Sequence, residues 1–225
     1  MSADAQEAAL REGLAALALT LPDAAVRQLL DYLDALVQWN RVYNLTAVRE
    51  PGDMLTHHLL DSLAVVGPLR RQLAGQGAQR HDGVRVLDVG SGGGLPGVVL
   101  AIACPDLHVT CVDAVAKKAA FVAQVAARLR LPRLRGLHAR VESLREAYDV
   151  VCSRAFASLV DFTAWSRHAL APNGVWMAMK GRVPHDELAA LPATIEVFHV
   201  EPLTVPGLGA QRCLVWMRSA PAESP

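Results

Sequence analysis

The sequence predicts an α/β protein, with a Rossmann-like, mostly parallel sheet preceded by a helical N-terminal extension. Two observations predict it. Residues 84–97 read Val-Arg-Val-Leu-Asp-Val-Gly-Ser-Gly-Gly-Gly-Leu-Pro-Gly, and a helix-like apolar run follows at 98–103. Strand, tight glycine turn and helix in that order open a nucleotide-binding α/β unit. From there on, apolar runs of strand length alternate with helical periodicity, the pattern of a parallel sheet covered on both faces.

The elements follow in chain order. Residues 5–19 predict a first amphipathic helix. Thr20-Leu-Pro-Asp23 resembles a capping box with proline in the first turn. Val26, Leu29, Leu30, Leu33, Leu36 and Val37 then recur at helical spacing, which predicts a second helix ending near Trp39 and Asn40. Tyr43-Asn-Leu-Thr46 reads as an irregular turn and Glu50-Pro-Gly-Asp53 as a break. A third helix is expected over 54–66, ended by Gly67-Pro68. The polar, Gly/Gln-rich stretch 70–83 reads as a linker. The domain expectation is an extension over 1–70, a linker over 71–83, a sheet domain over 84–218 and a tail over 219–225.

Within the sheet domain, strands are expected at 84–89, 108–113, 134–139, 148–153 and 175–179. Helices are expected at 96–104, 116–130 and 159–170. Two further strand candidates, 195–200 and 212–217, follow each other without a long crossover, so they suit an antiparallel edge.

The bulk numbers exclude several classes. The chain has 225 residues, 52% of them hydrophobic, and a formal charge of zero. That is room for one good-sized domain with an appendage. No run is long enough to predict a membrane span. The Ala/Leu-rich start carries Asp4, Glu7 and Glu12 and no basic lead, so it reads as a helix and not as a signal peptide. Cys104, Cys111, Cys152 and Cys213 are scattered, as expected of reduced core thiols in a cytoplasmic protein. The eight histidines show no metal-ligand spacing.

Local charge says what the net charge hides. Between Ala114 and Val141 stand seven Lys or Arg and no acid, whereas the first 34 residues hold six acids and two bases. Lys117 and Lys118 follow a candidate ribose-binding carboxylate, Asp113, at the end of the second strand. Arg140, Arg154 and Lys180 lie at or just past the ends of the third, fourth and fifth strands, the sheet edge where ligands of open α/β folds bind. A basic rim there suggests a polyanion such as RNA.

Glycine turns serve dinucleotides and S-adenosylmethionine alike. Asp88, two residues before Gly90, is expected at the mouth of the site, where it would suit an ammonium and a sulfonium and repel a pyrophosphate. Leu95 stands where a dinucleotide fingerprint wants glycine. Both details favour S-adenosylmethionine, with the loop Gly90-Ser91-Gly92 and Asp113 as its contacts.

The chain resembles the bacterial 16S ribosomal RNA guanine-N7 methyltransferase G family, also called glucose-inhibited division protein B. Five stretches carry the resemblance: Trp39-Asn40-Arg-Val-Tyr-Asn44-Leu-Thr46, His57-His58-Leu-Leu-Asp61-Ser62, Asp88 to Gly97, Ser153-Arg154-Ala-Phe-Ala157 and Met179-Lys180-Gly181. The resemblance implies a class I S-adenosylmethionine-dependent methyltransferase fold with a seven-stranded sheet. It implies cofactor contacts at Gly90, Leu95, Val141, Glu142 and Arg154. It further implies methyl transfer to nitrogen 7 of a guanine in 16S rRNA (guanine 527 in the family's usual RNA numbering), on free RNA or in the 30S subunit; a monomer is expected. The chain departs from the family pattern at Gly93, often Pro or Ala, at Ala114, usually Ser, and at Lys118, often Arg.

Nitrogen 7 of guanine carries a lone pair and no proton, so alignment suffices and no base is required. Arg140, Lys180, Asn40 and His58 are the candidate catalytic residues, with no metal. Lys117, Lys118, Arg140 and Lys180 are the candidate RNA contacts. Asn40 is equally readable as a helix C-cap. His57 and His58 are weighted as packing residues, as is Trp39, while Phe156 is a candidate base stacker. Other functions fit the same residues: an NAD-linked oxidoreductase, against which Asp88 and Leu95 argue; a cofactor-binding ribosome-assembly factor; or a methyltransferase of another RNA.

Overall fold

The computed structural model describes residues 2–43, 45, 46, 48, 51–75 and 83–221. Its centre is one seven-stranded sheet in the order β3-β2-β1-β4-β5-β7-β6. The strands are β1 (Arg85–Val89), β2 (His108–Asp113), β3 (Leu134–His138), β4 (Tyr148–Arg154), β5 (Leu170–Lys180), β6 (Ile195–Leu203) and β7 (Arg212–Ser219). The first five pair in parallel, while β7 runs antiparallel to both β5 and β6. This is the expected antiparallel edge, with β7 inserted between β5 and β6.

Period-two alternation divides each strand between two cores. Val86, Val109, Cys111, Val150, Cys152, Met177 and Trp216 face one side. Leu87, Val89, Val112, Val151, Trp176, Val215 and Met217 face the other. The first face is covered by α6 (Gly97–Ala103) and α7 (Ala116–Arg128), and also by the N-terminal helices, whose Leu10, Leu14, Leu29, Leu33 and Leu36 belong to the same cluster. The extension therefore shares a core with the sheet.

The N-terminal helices differ in detail from expectation. The first is α1 (Ala3–Ala16), capped by Ser2, whose side chain accepts from the Ala5 N–H. The second, α2 (Asp23–Tyr43), begins at Asp23, and Pro22 lies just outside it with its carbonyl accepting from Ala25 and Val26. Thr20 therefore does not cap it. The helix also runs past Asn40, so Asn40 is no C-cap. Its amide instead donates to the Val48 carbonyl at 3.1 Å and accepts from the Thr46 N–H at 2.8 Å, tying down the chain that follows.

The helix expected over 54–66 is a composite. After α3 (Pro51–Met54) comes a π-helical stretch, Leu55–Leu60, then α4 (Asp61–Leu63). Gly67-Pro68 does not end the helical region, because α5 (Val66–Gly75) carries Pro68 in its first turn, where the missing N–H is not needed. The first part of the expected linker is thus helical: α5 runs on to Gly75, anchored by the buried Val66 and Leu69 that precede the linker and by Arg70, which bonds Asp106 through two 2.7 Å contacts. Residues 76–82 of that linker, and 222–225 of the expected tail, lie outside the described residues.

The remaining departures are at element ends. The helix after β4, α8, is Leu159–Ser166, and a 3-10 turn over Arg167–Ala169 replaces its last residues. Strand β5 starts early, at Leu170, because Leu170 pairs with Tyr148 across a bulge. A short helix, α9 (His185–Ala189), precedes β6.

Candidate functional site

The strand order reverses direction at β1, which has β2 on one side and β4 on the other. At such a switch point the connections diverge and leave a crevice beyond the strand ends. The glycine turn sits there. Gly90 has φ 64°, a left-handed conformation that an L side chain adopts only under strain, and a Cβ there would overlap the Phe156 ring.

Three side chains staple the turn. Asp113, at the end of β2, accepts from the Gly92 N–H at 3.0 Å and from the Val115 N–H at 2.9 Å. Tyr32, from α2, donates its buried hydroxyl to the Gly93 carbonyl at 2.7 Å. Asp88 accepts from the Gly97 N–H at 2.9 Å, at the start of α6. The N-terminal extension and two strand-end carboxylates thus fix one loop.

The turn forms one wall of a cavity of about 420 Å³. Gly90, Asp113, Lys118, Arg140, Val141 and Glu142 line it, and so do Ala155, Phe156 and Trp165. Phe156 and Trp165 meet edge to face at 5.9 Å between centroids. The volume lies in the roughly 300–1,000 Å³ range of small-molecule sites. A larger hollow of about 820 Å³ lies between α5, the first residues of β5 and the end of β7, away from the glycine turn, and gathers none of the predicted site residues.

Against this geometry stand the comparisons with known proteins. A family model described as rRNA small subunit methyltransferase G matches residues 25–215. The chain belongs to that family. "Ribosomal RNA small subunit methyltransferase G" of Acidovorax ebreus (strain TPSY) is 66% identical over 214 residues, which are 94% of this chain and 95% of the relative. The protein of the same name from Albidiferax ferrireducens is 66% identical over 218 residues, 95% of this chain and 97% of the relative. Among solved structures, TrmN from Thermus thermophilus superposes with a TM-score of 0.51 at 20% identity, over 74% of this chain and 53% of that one. That likeness concerns the fold, which is the class I methyltransferase arrangement of a seven-stranded, mostly parallel sheet.

The family's expected cofactor contacts are only partly brought together. Gly90, Val141 and Glu142 line the 420 Å³ cavity with Asp113. Leu95 is 3% exposed and packs in the core behind the turn. Ser91 is buried as well, and Gly92 contributes its backbone to Asp113.

The expectation that Asp88 faces the mouth of the site is wrong. Asp88 is fully buried on the α6 side of the sheet, because it shares the face of Val86 and not that of Leu87 and Val89. Burial pushes its carboxyl up to about 7, against the opposing bond from Gly97. Its place is under the loop, holding the start of α6.

Arg154 lies on a neighbouring hollow of about 300 Å³, with Asp61, Met179, Lys180 and Arg212. The predicted basic rim is largely paired. Lys180 donates to Glu187 and to the Ala157 carbonyl, Lys118 lies 3.9 Å from Asp113, and Lys117 sits 5.7 Å over the Tyr43 ring. Arg140 and Lys117 are exposed.

Neither histidine is placed as a base. His57 Nδ1 donates to the Asp53 carbonyl, 3.0 Å away. His58 is buried, with its ring lowered to about 4 by burial and the nearby Arg154 guanidinium, so it is neutral near pH 7. Trp39 packs between Tyr43 and Phe121, as its packing role requires. All four cysteines are buried free thiols, and burial raises the pKa of Cys111 and Cys152 well above the ordinary range, so thiolate chemistry is disfavoured there. Among the described residues no cluster of metal ligands occurs, and no helix is long and apolar enough to cross a membrane.

Two features escaped sequence reasoning. Trp165 faces the crevice although α8 reads as an ordinary apolar helix. Asp61 joins Arg154 to Arg212 across 93 and 151 residues of chain. A carboxylate inside an apolar helical run was the available signal for Asp61; its partners lie too far along the sequence to be read from it.

Proposed function

We propose that the protein transfers the methyl group of S-adenosylmethionine to nitrogen 7 of a guanine in 16S ribosomal RNA, guanine 527 in the family's usual RNA numbering. The observation that carries the reading is the crevice itself, where the Gly90 turn, the Asp113 carboxylate and Val141-Glu142 converge in a chain of this family.

The residues present fit the cofactor. Asp113 is only 6% exposed and already accepts two backbone N–H bonds, yet each carboxylate oxygen keeps a lone pair for a ribose hydroxyl. Gly90 has no side chain, which lets the Phe156 ring pack against the turn at the crevice wall. Val141 offers an apolar face for a base, with Glu142 beside it as an acceptor. When bound, S-adenosylmethionine supplies an electrophilic methyl group.

The chain's own residues bind, orient and exclude water. Guanine nitrogen 7 needs no proton removed, so the neutral His58 and the buried thiols have no proton-transfer task. Bringing the acceptor to roughly 3–3.5 Å from the methyl group is the catalytic contribution. Arg140 and Lys118 line the crevice, and together with the exposed Lys117 they hold the phosphate backbone by charge. Phe156 and Trp165 close the aromatic side of the cofactor crevice.

The test is transfer of a labelled methyl group to 30S subunits or 16S rRNA from a strain lacking the enzyme. Digestion and mass spectrometry should recover the label as 7-methylguanosine. Label on adenine, on a carbon atom or on a different RNA overturns the assignment.

A further inference from the structure

The 300 Å³ hollow beside the crevice opens between the ends of β4 and β5 and the start of β7. The two cavities share Ala155, so they lie on either side of one strand end. Ala155 and Met179 give the hollow an apolar wall, and Arg154, Lys180 and Arg212 carry positive charge around it.

Asp61 organises this charge. It is 2% exposed, and both its oxygens are engaged by guanidinium groups. Oδ2 accepts from Arg154 Nη1 at 2.9 Å and Oδ1 from Arg212 Nε at 2.9 Å. Arg154 Nη1 also donates to the His57 carbonyl at 2.8 Å, from the π-helical stretch. Lys180 and Glu187 offset each other. Asp61 offsets one of two guanidinium groups, which leaves one positive charge beside the apolar wall.

Arg212 is held at two points, through Nε on Asp61 and through Nη1 on the Gln211 carbonyl at 2.9 Å. Among the described residues its Nη2 meets no acceptor. A planar guanidinium fixed in this way is pre-organised for a phosphate oxygen.

We propose that this hollow seats the target nucleotide of the RNA, that Arg212 contacts its phosphate backbone, and that Asp61 is the positioning residue for Arg154 and Arg212. The proposal rests on the rRNA methyltransferase reading above and adds the acceptor's seat to it. An enzyme that modifies a base must hold it out of its stack, against an apolar or aromatic surface with the backbone anchored outside. The hollow supplies that combination next to the crevice assigned to the methyl donor. A free anion would have no use for the apolar wall.

The experiment measures methyl transfer to 30S subunits, rRNA binding at several salt concentrations, and cofactor affinity by calorimetry. Arg212→Ala should raise KM for the RNA substrate about tenfold and lower the salt slope of RNA binding by about 0.7–0.9. Its cofactor Kd should stay within twofold of wild type. Arg212→Lys should restore the slope and part of the KM. An unchanged KM and slope in Arg212→Ala overturns the proposal, as does a weakened cofactor Kd with unchanged RNA binding.

Asp61→Asn should raise KM for the RNA. Adding Arg212→Ala to it should then cost less than twofold more, because the guanidinium is already released. Independent, multiplying effects remove Asp61 from the positioning role. If Asp61→Asn does not fold, the Arg212 series alone decides. A wild type that transfers no methyl group defeats the underlying reading, and the salt slope of RNA binding still decides the nucleotide seat.

Discussion

Asp88 sits at the end of β1 with no solvent to share its charge, and Gly97 begins α6 directly against it. The folded chain holds the Asp88 proton up to about 7, while an unfolded chain releases it near 3.9. Between these values the folded state binds more protons, so this group's contribution to stability falls as pH rises through the window. Asp88→Asn should therefore be more stable than wild type by an amount that grows from pH 4 to pH 7 and levels off above, reaching a few kcal/mol. Thermal unfolding across that range measures it, and a difference independent of pH would show that Asp88 is already charged. Gly97 illustrates the same crowding, because a Cβ there would overlap Cys111 and press on the Asp88 carboxylate. Gly97→Ala should cost about 1–3 kcal/mol in denaturant unfolding.

Helix α2 is more than a cover for the sheet. Through Tyr32 it reaches the glycine turn, and through Gln28 it donates to the Leu129 carbonyl at the end of α7 at 2.8 Å. Tyr32→Phe leaves the ring in place and strands the buried Gly93 carbonyl. The expected cost is about 1–2 kcal/mol in stability, with cofactor affinity weakened severalfold because the turn loses one of its three staples. Calorimetric titration against denaturant unfolding separates the two effects. A stability loss with unchanged affinity would mean that Asp88 and Asp113 hold the turn without help. The π-helical stretch plays a comparable part at the other hollow, where its His57 carbonyl and the adjoining Asp61 engage β4 and β7.

For the molecule as a whole, charge is distributed and not summed. The formal charge is zero, yet the seven bases between 114 and 141 fall on α7, β3 and the turns at their ends. Among the described residues, two of these bases form ion pairs, Arg135 with Glu146 and Lys118 with Asp113. Of the two lysines at the start of α7, Lys118 lines the crevice and Lys117 is exposed beside it in sequence, with its Nζ over the Tyr43 ring. Replacing Lys117 and Lys118 together by Ala should lower the salt slope of RNA binding by about 1–2. A slope equal to that of wild type would make them solvated surface groups.

The alternation of apolar runs and the glycine turn were enough to predict the parallel sheet, its antiparallel edge and the crevice at the strand ends. Those features depend on local periodicity and on the steric freedom of glycine, which a sequence displays directly. Gly90 and Asp113 were legible for the same reason, since each lies at a fixed place relative to a strand end, whereas Val141 and Glu142 were expected only from the family resemblance. The facing of Asp88 was not legible in that way, because the register of one strand against two neighbours decides which face is dry. The extent of α2 and α5 depended on whether buried partners, such as those of Asn40 and Leu69, continue a helix past its local stop signals. Asp61 with Arg154 and Arg212 belonged wholly to the tertiary structure. Its ion pairs join chain segments far apart in sequence, and only packing the N-terminal helices onto the sheet brings them within hydrogen-bonding distance.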